Sequence, residues 1–449
     1  MRPLGKTFRM EDSFVAKKQF NFHQMFPWLH LFRAFRIAID LRKLMLAGLG
    51  LMLISLGNSG FARLPFAPKE ARNDANQVWP WQEPLGDHQP LSVTSQLLSN
   101  PAGTLFEIAT NWKLIVRPMR TLTDPALVLF QPRPRWTEAA YAWTRLLWAL
   151  LVWALFGGAI TRIAAVQFAR DEQIGLRAAL RFSGEQLFSY FTAPLLPLAF
   201  IGVLWLLCLT GGVVCGLIPH VGEAIVGGLW IVPMLLAVVM ALLLIGVSVG
   251  WPLMYATISA EGSDMYDGFS RTYSYVYERP WHFLWYTVVA MAYGSVVVFL
   301  FSLIVTLVVY LAGWSVAAGM GDAKVGSLYL AAPENLDGTE ILKKRAGTTQ
   351  LPFGRPLATF WLYVMAVLQV AFVYSYFWTA STIIYFLLRN SDDATALDEV
   401  YLPKHEEEDE LLPLVGIADS EQPVIERPAT PQPQEDAPTG EGGEVPAAE

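Results

Sequence analysis

Three stretches of this chain carry almost no charge over lengths that no water-facing helix can tolerate. Between Phe191 and Ala260 the only formally charged side chain is Glu223, and none lies between Arg279 and Asp322 or between Arg355 and Arg389. A helix in water needs a polar face, so windows this long belong in lipid. Composition agrees. Hydrophobic residues make up 54% and charged residues 16%, against roughly 45–50% and 25% in soluble domains. The expected fold is all-α: a polytopic membrane helix bundle of about six transmembrane helices, with interfacial amphipathic helices and a disordered acidic C-terminal tail.

Apolar windows of spanning length place the expected spans at 44–62, 136–160, 187–217, 221–258, 281–313 and 358–388. The run 191–260 has room for three spans only barely, and Pro219 to Glu223 is its single turn-like stretch, so two long helices are preferred. Valine runs at 296–298 and 308–309 would suit a strand in water, but an open strand has no backbone partner in lipid. Gly60-Phe61-Ala62 has the small residues of a signal-cleavage site. The basic region before it is too long for an ordinary signal sequence, so a retained anchor is the preferred reading. Cys208 and Cys215 fall in one apolar helix about 10 Å apart, too far for a disulfide.

Polar segments separate these windows. Residues 1–43 hold nine Lys/Arg and three Asp/Glu. There Trp28, Leu31, Phe32, Phe35 and Ile39 recur at helical spacing opposite Arg33, Arg36 and Asp40. This amphipathic segment lies either on the inner leaflet or on the protein's own cytoplasmic face. The loop 63–135 contains an apolar stretch, Leu105 to Phe130, interrupted by Lys113, Arg117, Arg120 and Asp124. At roughly 2.5–3.5 kcal/mol per charge near mid-bilayer it should not span. Surface helices broken at Pro118 and Pro125 are expected instead. A second outer loop covers 315–356.

Net charge must be split by region to be informative. From Ser391 onward, 17 acidic residues face Lys404 and Arg427, while the rest of the chain has 30 basic against 22 acidic residues. The bulk is mildly basic, and Arg162, Arg170, Arg177 and Arg181 follow the second window as a cytoplasmic signature. The basic segments therefore face the cytoplasm, as do both termini. The expected location is the bacterial cytoplasmic (inner) membrane. Trp136, Trp143, Trp230, Trp314 and Trp361 would form an outer aromatic belt, and Trp251, Trp281 and Trp285 an inner one. The stretch 389–449 is too acidic and too poor in aromatics to fold, and Leu411 to Val415 is a candidate docking motif for a cytoplasmic protein.

Two cytoplasmic connections share a pattern. Leu176, Leu180, Ser183, Leu187 and Phe191 form one stripe opposite Arg177, Arg181 and Glu185. Met265, Phe269, Tyr273 and Val276 oppose Asp267, Arg271, Ser274 and Glu278. Each leads directly into a span, which suggests a duplicated unit of span, interfacial helix and span. The stretches Gly250-Trp251-Pro252-Leu253-Met254, Glu261-Gly262-Ser263-Asp264 and Tyr273 to Tyr277 resemble a family of uncharacterised bacterial multi-pass membrane proteins. So do Tyr376 to Arg389 and Leu397 to Leu402. More distantly, the pattern is similar to the membrane domain attached to some glycerophosphodiester phosphodiesterases. The resemblance covers residues 25–400 and implies architecture but no activity; the phosphodiesterase catalytic domain has no counterpart.

Catalytic and metal-binding patterns are missing from the sequence. The histidines at 23, 30, 88, 220, 282 and 405 share no ligand spacing, and there is no HExxH, paired CxxC, phosphate loop or nucleophile elbow. No catalytic residue, cofactor or metal is expected, and no nucleic-acid partner. Two features remain. Gly212 with Gly216, and Gly246 with Gly250, have the spacing that lets neighbouring spans pack closely. Gln369, Tyr376, Thr379 and Thr382 fall near one face of the last span as a candidate polar seam, with interhelical hydrogen bonding the commoner use of such groups. The expectation is a non-enzymatic protein of envelope organisation or scaffolding, in contact with the lipid bilayer. A permease or channel subunit for a lipid or uncharged solute stands second, and a membrane-embedded enzyme third.

Overall fold

A computed structural model describes residues 26–69, 112–131, 135–218, 221–321 and 354–402, with short pieces at 100, 102–103, 106, 415–417 and 423–425. Residues up to Tyr401 form one compact unit, and those from Leu402 form another. In the first, a 3₁₀ segment Pro27–Arg33 leads into α1 (Ala34–Ala38). It is followed by α2 (Leu41–Phe61), α3 (Trp112–Ile115), α4 (Arg117–Leu129), α5 (Trp136–Arg170), α6 (Leu176–Glu185) and α7 (Leu187–Thr192). Then come α8 (Leu195–Gly216), α9 (Val221–Gly228), α10 (Ile231–Glu261), α11 (Met265–Glu278), α12 (Pro280–Met320) and α13 (Gly354–Asp393). Six of these, α2, α5, α8, α10, α12 and α13, are long and apolar enough to cross a membrane. The chain is a polytopic membrane helix bundle, with its long helices where the apolar windows place them.

The boundaries differ where local chemistry intervenes. The expected third span is two helices, because Ala193-Pro194 interrupts it between α7 and α8; proline has no N–H to continue the ladder. The expected fourth span is also two, α9 ending at Gly227-Gly228 before α10 begins. The turn at Pro219-His220 lies outside the described residues, as do most of the loops 63–135 and 315–356. The second span continues ten residues beyond Ile160, to Arg170.

Helix α5 is the centre of the bundle: 83% of its apolar window is buried, against 6% for α8. Helix α2 runs antiparallel along it, with the Trp148 indole donating to the Leu53 carbonyl at 3.1 Å and the Lys43 ammonium to Gln167 at 2.8 Å. Two glycines make the centre possible. A Cβ on Gly157 would meet Trp378 of α13 at 2.6 Å, and one on Gly158 would meet the Ser183 hydroxyl of α6 at 2.5 Å and the Tyr190 ring of α7 at 2.8 Å. With no side chain in the way, the Ser183 hydroxyl donates to the Ala154 and Leu155 carbonyls. Helix α11 docks on α10 in the same fashion, Tyr273 donating to the Leu243 carbonyl and Tyr277 to that of Leu242. The far ends of α8, α10 and α12 present Leu206, Val213, Leu235, Val239, Val308 and Leu311 outward, a surface that only hydrocarbon solvates without penalty.

Residues 112–131 do not lie on the surface as expected. Ile115, Pro118, Leu122 and Pro125 are buried. Ile115 packs beside Gly294 of α12 and Tyr376 of α13, and the Thr121 hydroxyl pairs with that of Tyr374 at 3.3 Å. The segment therefore packs against the spans, where protein shields its buried side. The break expected at Pro118 is present, α3 ending at Ile115 just before α4 begins, but Pro125 interrupts nothing. Pro118 sits in the first turn of α4, where its missing N–H is an orphan anyway, and Pro125 is carried inside the helix.

The N-terminal segment packs partly on the protein itself, while Phe32 and Ile39 of its expected apolar stripe stay exposed. Leu31, Ala34, Ile37 and Ala38 are buried, and the Ser375 hydroxyl donates to the Ala38 carbonyl at 2.7 Å. Asp171 closes α5 at φ 58°, a left-handed geometry that Asp tolerates better than most residues. Its carboxylate accepts from Arg33 and Arg36, each at 2.8 Å.

At the other end the packed structure outlasts the boundary expected at 389. Helix α13 reaches Asp393, and the segment after it folds back: the Arg389 guanidinium donates to the Glu399 carbonyl and the Tyr401 N–H to that of Ala260. In the second unit, β1 (Val415–Ile417) pairs antiparallel with β2 (Pro423–Ile425). The rest of the expected disordered tail, with Leu411 to Leu414 of the docking motif, lies outside the described residues.

The close approach at Gly158 gives a direct test. Gly158→Val should overpack the junction of α5, α6 and α7 and cost about 1–3 kcal/mol. Thermal unfolding in detergent micelles should show a lowered midpoint, whereas Gly175→Ala, in open space, should leave it nearly unchanged.

Candidate functional site

The four residues of the expected seam do not line one path. Gln369 donates to the Ser302 carbonyl of α12 at 3.4 Å, and Tyr376 to the Ala290 carbonyl of the same helix at 2.7 Å. Thr382 donates to the Trp378 carbonyl of its own helix. Thr379 is fully buried, and its hydroxyl finds no partner among the described residues. Three of the four are thus used in helix packing or along the helix itself. The glycine pairs also separate. Gly212 and Gly216 face open space, while Gly246 and Gly250 lie under Tyr273 and Thr272. The second pair therefore admits an interfacial helix, α11, in place of the neighbouring span that its spacing suggested.

Instead, an aromatic cluster closes the middle of the bundle. Trp153 of α5 stacks on Tyr374 of α13, with centroids 5.1 Å apart and planes 13° from parallel. Trp378 lies 5.8 Å from Trp153, 5.3 Å from Trp251 and 5.0 Å from Tyr255, and Tyr190 continues the row 5.2 Å beyond Tyr255. Trp251, expected in an inner belt, is instead 2% exposed. The indole N–H groups of Trp153, Trp251 and Trp378 and the Tyr255 hydroxyl have no hydrogen-bond partner among the described residues. Buried polar groups left this way cost about 1–3 kcal/mol each. Three helices are locked together here by ring contact.

Next to the cluster is a set of buried polar side chains that the sequence did not reveal. The Arg162 guanidinium is fully buried, 4.3 Å over the Phe182 ring, and donates to the Ser259 and Tyr401 carbonyls at 2.9 and 2.7 Å. Ser259 also pairs through its hydroxyl with Thr161 at 2.5 Å and Tyr190 at 2.8 Å. Burial pushes the Tyr190 phenol well above its ordinary value, so it stays a neutral hydroxyl. A neighbouring group is centred on Glu261, which accepts from Arg271 at 2.8 Å and Tyr385 at 2.5 Å. Tyr275 donates to Asp393 at 2.5 Å, and Arg279 pairs with Asp392 at 3.1 Å. The Arg271 pair ties α11 to α10, and the other three tie the end of α13 to α10, α11 and the start of α12. Gly262, at φ +64°, leaves room for the Tyr401 ring against the chain.

Hollows of three kinds lie among the described residues. One of about 250 Å³ is lined by apolar residues of α4, α5, α8 and α10, with Trp251 in its wall. A smaller one of about 90 Å³ lies between α10, α12 and α13, where Thr287, Tyr376 and Ser381 are its polar lining. The third, of about 630 Å³, is an open basin at the start of α2 and the end of α5, bounded by Arg36, Asp40, Arg42, Gln167, Asp171 and Gln173. Among the described residues no group of three or more His, Cys, Asp and Glu is placed to hold a metal.

The sequence signal for Arg162 was present but pointed elsewhere. Read with Arg170, Arg177 and Arg181, it marked the end of a span; its partners come from Ser259 and Tyr401, about a hundred and more residues away. Comparison with family models, with curated proteins and with solved structures finds no match. The class is therefore defined by the fold alone: a six-span helical membrane protein with an aromatic centre and a polar end.

Two outcomes are expected. Arg162→Met should strand the Ser259 and Tyr401 carbonyls and remove two charge-assisted bonds, costing about 3 kcal/mol. Limited proteolysis should then cut within residues 394–401 well before the helices, whereas in the parent chain this segment resists. The second concerns Asp40. Burial raises its carboxyl pKa, but hydrogen bonds from Arg42 and Gln167 and the Arg42 charge outweigh this and hold it below the ordinary 3.8. A depressed carboxylate stabilises fully above the unfolded value and loses that contribution as pH falls through the folded one. Asp40→Asn should therefore lower the unfolding midpoint at neutral pH, with the gap closing only below pH 3.8. A gap that stays constant into that range would contradict the assignment.

Proposed function

We propose that the protein is a non-enzymatic scaffold of the bacterial cytoplasmic membrane, with both termini in the cytoplasm and the acidic region after Tyr401 as a docking segment for a cytoplasmic protein. The observation that carries the scaffold reading is the aromatic closure by Trp153, Trp251, Tyr255, Tyr374 and Trp378. Close-packed rings fill the middle of the bundle there, and Trp251 also walls the larger apolar hollow. The use of Gln369 and Tyr376 as bonds between α12 and α13 supports the same reading. Lys/Arg bias supports the orientation, and the charge of the tail supports docking.

A second reading, a permease for a lipid or uncharged solute, is favoured by one feature. Thr379 carries an unmet buried hydroxyl one turn of helix from Tyr376, which lines the smaller hollow. Flux separates the two. In vesicles reconstituted with the full chain, movement of a fluorescent phospholipid or of glycerol should equal that of empty vesicles, and Thr379→Leu should change nothing. Flux above the blank that Thr379→Leu abolishes would establish the permease instead. Reporter fusions after Ala62, Arg170, His220, Met320 and Thr395 test the orientation, with the fusions at 170 and 395 expected inside. Removal of residues 403–449 should abolish recovery of cytoplasmic partners; identical recovery without them would remove the docking role.

A further inference from the structure

We propose that the open basin at the start of α2 binds the phosphate-bearing headgroup of an anionic phospholipid, whose acyl chains lie along α2. The first observation is charge. Arg33, Arg36, Arg42 and Lys43 converge on the basin or line it, and the carboxylates they meet there are Asp40 and Asp171. The basin's own lining sets Arg36 and Arg42 against Asp40 and Asp171, and the surplus cation is Arg33, which shares Asp171 with Arg36. Lys43 lies behind the basin. It is fully buried, and its hydrogen bond goes to the neutral amide oxygen of Gln167 at 2.8 Å. Gln167 passes its own N–H to Asp40 at 2.6 Å, so one carboxylate serves both Lys43 and Arg42. A further anion in the basin would complete this balance.

The second observation is what adjoins the basin. Ile39 and Leu41 are at its edge, and Leu41, Met45, Leu49 and Leu56 continue outward along one face of α2, each more than half exposed. Their spacing places them on one stripe of the helix. A basic hollow that opens onto an apolar stripe at the end of a span matches a molecule with an anionic head and hydrocarbon chains. A free inorganic anion would leave the stripe unused. Headgroup recognition of this kind draws roughly 1 kcal/mol from each Lys or Arg near a membrane surface. Arg36 is the one best able to turn toward a ligand, because its side chain is the most exposed of the set.

The test uses the full chain in nanodiscs of equimolar phosphatidylglycerol and phosphatidylcholine with identical acyl chains. Lipid retained after transfer to detergent is read by native mass spectrometry. The parent chain should retain phosphatidylglycerol in preference, and Arg36→Gln should lower that preference about fivefold, the equivalent of one surface cation. Because Arg36 is exposed, this variant should fold normally, which circular dichroism checks; Lys43→Met is the stronger but riskier second variant. Leu41→Ser with Met45→Ser should weaken retention of either lipid. Equal retention of the two lipids by the parent chain, or a preference untouched by Arg36→Gln, overturns the proposal. So does displacement of the lipid by inorganic phosphate at matched concentration, since the site would then recognise the anion without its chains.

Discussion

Helix α5 can be surrounded on every side because Gly157 and Gly158 take two side chains away from it. Trp378 occupies the space beside the first, and Ser183 with Tyr190 the space beside the second. Everything that follows depends on this double vacancy. It brings α13 close enough for the Trp153, Tyr374 and Trp378 rings to meet, and it brings α6 close enough for a serine hydroxyl to reach backbone carbonyls of α5. In lipid there is no hydrophobic drive between apolar helices, so contact distance and hydrogen bonding decide which helices associate. The same device recurs where Gly246 and Gly250 admit α11 onto α10. Both docked helices use hydroxyls to reach carbonyls of the preceding span, so the two units of span, short helix and span resemble each other in how they pack as well as in pattern.

The charged side chains follow a related economy of placement. A guanidinium in hydrocarbon is expensive, yet Arg162 is among the most buried groups of the protein. It is accommodated because its N–H groups meet carbonyls at the end of α10 and in the segment after α13, while its flat face lies on Phe182. Arginine suits this role, since its charge is delocalised and only weakly hydrated. The result is that the segment 394–401, which follows α13, is bonded to the central helix.

How much of this was legible in the sequence can be argued element by element. Apolar windows of spanning length located all six long helices, because hydrocarbon thickness fixes a minimum apolar length whatever the packing. Their ends were less accessible. The span ending at Ile160 in the sequence continues to Arg170, since the rule that charge terminates a span assumes lipid around it, and Arg162 has protein. The same assumption put residues 112–131 on the surface. Arg120 and Asp124 do remain exposed, but Ile115, Leu122 and the two prolines face the spans. The glycine pairs show a different limit. Spacing identifies a smooth stripe on a helix but not what faces it, so Gly212 with Gly216 looked equivalent to Gly246 with Gly250, and only the latter pair meets protein.

The polar residues of α13 carry the functional argument furthest. A solute path needs side chains that present donors and acceptors to a continuous opening, each free to exchange one partner for the next. Gln369 and Tyr376 have already given theirs to carbonyls of α12, and Thr382 to its own helix. Between them the ring cluster fills the interior with groups too large to step aside without parting α5, α10 and α13. A bundle held in this way has its polar groups committed to cohesion at the centre and its unbalanced charge gathered at one end, beside the basin at the start of α2. Such a distribution is what the proposed scaffold would need in order to hold its shape in the bilayer.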